Sequence, residues 1–66
     1  MLIKILVVLP DGRVLECQDT EEMGVLEHMI DLTDKHDFTN TVWITKEGFA
    51  ELKSKKETLR WIREEY

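Results

Sequence analysis

The chain has 66 residues and a mass of 7.8 kDa, so it holds one domain with a small core. With 42% apolar residues it is too hydrophobic for a disordered tail, and one cysteine excludes an internal disulfide framework or a cysteine-based zinc finger. The formal charge of −5 is concentrated in residues 16–37, where eight acids face Lys35 alone, while the segments on either side each sum to +1. An acidic middle repels phosphate and points away from nucleic acid as the partner.

Residues 2–9 are rich in Ile, Val and Leu and predict a buried strand. Lys4 interrupts the apolar run and no small-residue cleavage site follows, so it does not read as a signal peptide. No stretch reaches the length of a membrane span, and the unpaired Cys17 suits a reducing, cytoplasmic setting. Pro10-Asp11-Gly12 then predicts a three-residue hairpin loop with Gly in the left-handed position. A second strand follows from Arg13 to about Gln18, with Leu15 and Cys17 on its drier face.

Asp19 or Thr20 is the expected N-cap of a helix over residues 20–35, whose apolar stripe holds Met23, Leu26, Met29 or Ile30, widened by Val25 and Leu32. Gly24, costly inside a helix, suggests a close approach to the sheet. Residues 36–40 read as a loop, and Thr41–Thr45 as a strand. Beyond it two readings stay open. Thr45 could cap one helix over residues 46–65, giving ββαβα. Alternatively, Lys46-Glu47-Gly48 forms a second hairpin loop of the same kind as Pro10-Asp11-Gly12, with Ser54 and Glu57 as a capping box for a last helix bearing Leu59, Ile62 and Tyr66, and Trp61 at its margin. An internal echo favours the second reading: a shift of 36 residues lays Gly12 on Gly48, Val8 on Ile44, Met23 on Leu59, Leu26 on Ile62 and Ile30 on Tyr66. The expected fold is therefore a small two-layer α+β domain, ββαββα.

The opening hairpin and helix resemble the first half of ubiquitin-like and protein-G-like domains. The segment Ile44-Thr45-Lys46-Glu47-Gly48-Phe49-Ala50-Glu51-Leu52 is similar to the start of the coiled coil in Gre-type transcript-cleavage factors and to the helix after a strand in winged-helix proteins. Neither likeness carries a functional residue onto this chain.

Candidates for chemistry are few. Cys17 could act with His28 or His36 as base, but its strand position makes it a core side chain. His28, Asp31, His36 and Asp37 span a helix end and do not have converging metal-ligand spacing. Asp31, Asp34 and Asp37 lack the Gly and closing Glu of a calcium loop. There is no phosphate-binding loop, dinucleotide fingerprint or hydrolase elbow, and a domain of this size has little room for a ligand pocket. No catalytic residue, cofactor or metal is expected. Lys53, Lys55, Lys56, Arg60 and Arg63 cluster near the C-terminus but are interleaved with Glu51, Glu57, Glu64 and Glu65, so a mixed solvated helix is the plainer reading.

The strongest functional signal is apolar surface. Residues 2–9 are apolar on both faces, and a strand of that kind needs cover on both sides. With Val42, Ile44, Ala50 and Leu52 assigned to the core face, Trp43 and Phe49 fall on the opposite face together with Leu6 and Val8. Trp43, Phe49, Leu6, Val8 and Trp61 are then the expected interaction surface, covered either by the last helix or by another molecule. The expected function is a small protein-protein interaction or regulatory module, of the accessory or inhibitor kind that phages and mobile elements encode. Its expected partner is a second copy (a homodimer) or another protein. The alternatives are a nucleic-acid-associated regulator using the basic C-terminal helix and an acidic mimic of nucleic acid using residues 16–37.

Overall fold

The computed structural model covers residues 1–66 and contains four strands and two helices in the order ββαββα. These are β1 (Leu2–Val8), β2 (Val14–Gln18), α1 (Glu22–Lys35), β3 (Asn40–Thr45), β4 (Ala50–Ser54) and α2 (Lys55–Glu65). All neighbouring strands are antiparallel and the sheet order is β2-β1-β3-β4. A single helix over residues 46–65 is excluded, and the helical likeness of residues 44–52 gives way to strand, loop and strand.

Two loops of one design decide this outcome. In the first, Leu9 N–H donates to Arg13 C=O at 2.8 Å and Gly12 N–H to Leu9 C=O at 3.0 Å. In the second, Thr45 and Gly48 N–H donate to the carbonyls of Phe49 and Thr45 at 2.9 and 3.0 Å. Gly12 and Gly48 have φ of 91° and 94°, a conformation that side chains oppose.

The echo at 36 residues is structural. Val8 pairs with Val14, and the shifted positions Ile44 and Ala50 pair likewise. In the central pairing Leu6 faces Val42, its own counterpart in the other half. The two hairpins are thus related by a pseudo-two-fold axis that runs through the sheet between Leu6 and Val42. The helices break the repeat. Ser54 ends β4 and caps α2 directly, its hydroxyl accepting from Glu57 N–H at 3.2 Å while the Glu57 carboxylate accepts from Ser54 N–H at 3.1 Å. The corresponding stretch before α1 is a linker. Its expected cap is displaced to Glu21, which makes no side-chain cap bond; Asp19 instead accepts from Glu21 N–H at 3.2 Å. Gly24 is explained here too, because a Cβ would meet the Asp19 side chain rather than the sheet.

Both helices lie on one face of the sheet, α1 over β1 and β2, α2 over β3 and β4. Beneath them are Ile5, Val7 and Cys17, sealed by Val25, Leu26 and Met29 of α1. Met23, expected in the stripe, is exposed. A register shift between Leu2 and Lys4 turns Leu2 onto the same buried face as Ile5. Phe38, from the segment read as a plain loop, is also buried in this core.

Candidate interaction surface

Strand parity sorts the expected surface residues into two groups on opposite sides of the sheet. Register pairs Ile5 with Cys17 and Trp43, and Trp43 with Glu51, so all four point toward the helices. Trp43 meets the Trp61 ring edge-on, with centroids 4.9 Å apart and planes at 75°. Trp61 is therefore the centre of the α2 contact rather than its margin. Phe49 is 72% exposed at the end of the second hairpin, beside an open groove of about 400 Å³ that Trp43, Trp61, Leu2 and Leu26 also line. Leu6 and Val8 point the other way. The structure does not join Trp43, Phe49 and Trp61 to Leu6 and Val8, and it inverts the faces expected for the second hairpin.

α2 is held in place by a short polar relay. Trp43 Nε1–H donates to Thr41 Oγ1 at 2.8 Å, Thr41 Oγ1 and Thr58 Oγ1 are 2.9 Å apart, and Thr58 Oγ1–H donates to Ser54 C=O at 2.9 Å. Thr58 has one hydroxyl proton and gives it to Ser54, so Thr41 must be the donor between the two threonines. Both threonines are fully buried, and no buried side-chain polar atom lacks a partner. Beside the relay, Lys53 lies 5.1 Å from the Trp43 ring centroid and pairs with Glu51 at 2.9 Å. These contacts fix α2 on the side already occupied by α1, so the other side of the sheet has no cover.

That open side is the candidate surface. Across the four strands its rows read Val14, Val8, Asn40, Ser54; then Glu16, Leu6, Val42, Leu52; then Gln18, Lys4, Ile44, Ala50. The apolar members run as a diagonal stripe from Val14 through Val8, Leu6, Val42 and Ile44 to Ala50, with Leu52 beside it. Leu52 is 66% exposed and Val14 49%. Leu6, Val8, Val42 and Ile44 are half-buried only by their neighbours on the sheet. The only charges on this side are Lys4 and Glu16, paired at 2.8 Å, and Lys4 holds the Glu16 carboxyl below its usual range. Val42, Ile44, Leu52, Ala50 and Val14 are thus the surface residues that pattern reading left out. The signal for Ile44 was in the repeat, which already laid it on Val8.

The helix side carries more charge. Between α1 and α2 runs an open groove of about 430 Å³, lined by Ile30, Leu59, Ile62 and Tyr66 and flanked by Glu27, Asp31 and Asp34. Of the basic C-terminal cluster, Lys55 pairs with Asp37 at 2.7 Å and Arg63 with Glu64 at 3.6 Å, in addition to the Lys53 pair. Lys55 also holds the Asp37 carboxyl below its usual value. Cys17 is buried, and burial pushes its thiol up to about 11, so it is protonated at neutral pH. No group of three or more His, Cys, Asp or Glu side chains converges in a way that could hold a metal ion. No helix is long and apolar enough to cross a membrane. Compared with family models, curated proteins and solved structures, the chain matches none, so its own geometry carries the functional argument.

Proposed function

We propose that this chain is a small protein-binding module that acts by contact through the open face of its sheet. One observation carries the reading: Leu6, Val8, Val14, Val42, Ile44, Ala50 and Leu52 form a continuous apolar stripe on a sheet face that neither helix covers. A half-solvated antiparallel sheet ordinarily alternates apolar inside with polar outside. Here β1 departs from that rule at Leu6 and Val8, and β3 at Val42 and Ile44. A contiguous apolar patch of this kind marks a contact site. Regulatory, accessory or inhibitory action fits such a module, since each needs only occupancy of a partner.

The test is site-specific photocrosslinking in the cell that makes the protein. A benzophenone amino acid replacing Leu52 should form discrete protein adducts, and the same probe replacing exposed Glu27 on α1 should not. Adding Leu6→Lys and Val42→Lys should abolish the Leu52 adducts. Absence of Leu52 adducts, or adducts indifferent to the two lysines, would refute the proposal.

A further inference from the structure

We infer that the occupant of the open sheet face is a second copy of the chain, packed face to face with its strands crossing near 90°. The inference rests on the binding-module reading and names its partner. Three features of the face lead to it.

The first is symmetry. A pseudo-two-fold axis normal to the face passes between Leu6 and Val42, so Val8 is repeated as Ile44 and Val14 as Ala50. The apolar stripe is thus repeated in the two halves of the face, while the charged pair is not, since Lys4 and Glu16 fall on Asn40 and Leu52. An isologous contact sets the same patch of each copy against the other, and the repeat makes this patch apolar at both ends of the stripe.

The second is charge. The chain carries −5, yet the face holds only the Lys4–Glu16 pair, and the acids of α1 lie on the far side of the sheet. With sheets stacked about 10 Å apart, the two helix layers sit well outside one Debye length of about 8 Å. Self-association therefore meets little repulsion despite the net charge.

The third is size and direction. The domain measures 28 by 25 Å across its two long axes, and its four-stranded face, about 19 by 20 Å at ordinary strand spacing and rise, offers about 400 Å² of planar contact, the scale of a small interface. The apolar stripe crosses the strands diagonally, rising four residues, about 14 Å, over the three strand spacings, also about 14 Å, between Val14 and Ala50. Laying one stripe along the other about an in-plane axis turns the two sets of strands nearly perpendicular, the orthogonal class of sheet packing. With that axis along the opposite diagonal, through the corner occupied by Lys4 and Glu16, Lys4 of each copy lies over Glu16 of the other. The centre of the contact is then apolar, Leu6 and Val42 lying over their own copies, while Leu52 of one copy settles between Val8 and Asn40 of the other.

Sedimentation equilibrium of the purified full chain should give twice the 7.8 kDa monomer mass, and Val42→Lys at the centre of the face should weaken association at least 100-fold while far-UV circular dichroism stays native. A charge exchange tests the docking itself. Lys4→Glu and Glu16→Lys should each weaken self-association about tenfold, and an equimolar mixture of the two variants should recover it as a mixed dimer. A within-chain role for the pair predicts no such recovery. A strict monomer at high micromolar concentration, a dimer unaffected by Val42→Lys, or failure of the mixture to recover would each overturn the inference. A monomer whose Leu52 probe crosslinks to a different protein would overturn the second copy and leave the binding-module reading standing.

Discussion

Whether the sheet keeps an open face depends on where α2 is fastened, and the Trp43–Thr41–Thr58–Ser54 relay is the fastening. Thr58→Val keeps the side-chain shape and its helix propensity but removes the hydroxyl. The Thr41 hydroxyl then loses its acceptor at a fully buried site, which costs about 1–3 kcal/mol. Thr41→Val leaves the Trp43 indole N–H without its acceptor, again about 1–3 kcal/mol. The double variant removes both members of the buried pair, so its cost should fall short of the sum by roughly 1 kcal/mol. For 66 residues a total stability of about 3–10 kcal/mol is ordinary, so each single change should be conspicuous. Urea titrations followed by circular dichroism and by tryptophan fluorescence measure all four corners of the cycle at unchanged slope. Single costs under about 0.5 kcal/mol, or strict additivity, would refute the relay as the element that pins α2.

Neighbouring positions on β3 should behave as opposites: Trp43→Ala, losing its contact with Trp61, costs about 3–5 kcal/mol in urea titrations, whereas Val42→Thr costs less than about 1 kcal/mol in the isolated monomer. Gly12→Ala and Gly48→Ala should each cost about 1–2 kcal/mol, and by similar amounts, because the two loops share one geometry; thermal melts compare them. Glu57 is held below its usual carboxyl pKa, first by the Ser54 backbone N–H and then by the Ser54 side chain. A lowered folded-state pKa stabilises above the unfolded value near 4.5 and loses that contribution as pH falls through the folded value. Glu57→Gln should therefore flatten the acid limb of helix loss, read by circular dichroism between neutral pH and the foot of the carboxyl range.

Much of the fold was legible because it is written in local chemistry. Pro10-Asp11-Gly12 needed only turn geometry, whereas Lys46-Glu47-Gly48, and with it the Ser54–Glu57 capping box, stood against a single helix over residues 46–65 and was favoured by the repeat. The first helix boundary was less clear, since Asp19 uses its carboxylate in the linker and leaves Glu21 at the cap without a side-chain bond. The faces of the second hairpin were not legible from alternation, because β3 offers Thr41, Trp43 and Thr45 on one side and Val42 and Ile44 on the other. By hydrophobicity the aliphatic side belongs in the core. What reverses it is a tertiary match: two threonines find each other and Trp43 finds Trp61, so polar groups that look misplaced in a core become satisfied there. Phe38 escaped notice for a similar reason, as a lone aromatic in a loop has no periodicity to reveal it.

The inversion bears directly on the proposed function. Had Val42, Ile44 and Leu52 faced the helices, the core would have been richer in hydrocarbon, and the other face would have carried the Trp43 indole and the Lys53–Glu51 pair, a surface that water tolerates. The chain instead uses a polar relay and two tryptophans to seat α2 and leaves its aliphatic residues facing outward. A satisfied polar seam holds a helix in one orientation at little net gain in stability, because its hydrogen bonds replace bonds to water. Aliphatic residues left on an open face contribute fully only when something covers them. This division, geometry from the relay and unspent burial on the opposite side, is what a domain of 66 residues would be expected to show if its stability and its binding were meant to be completed in the same event.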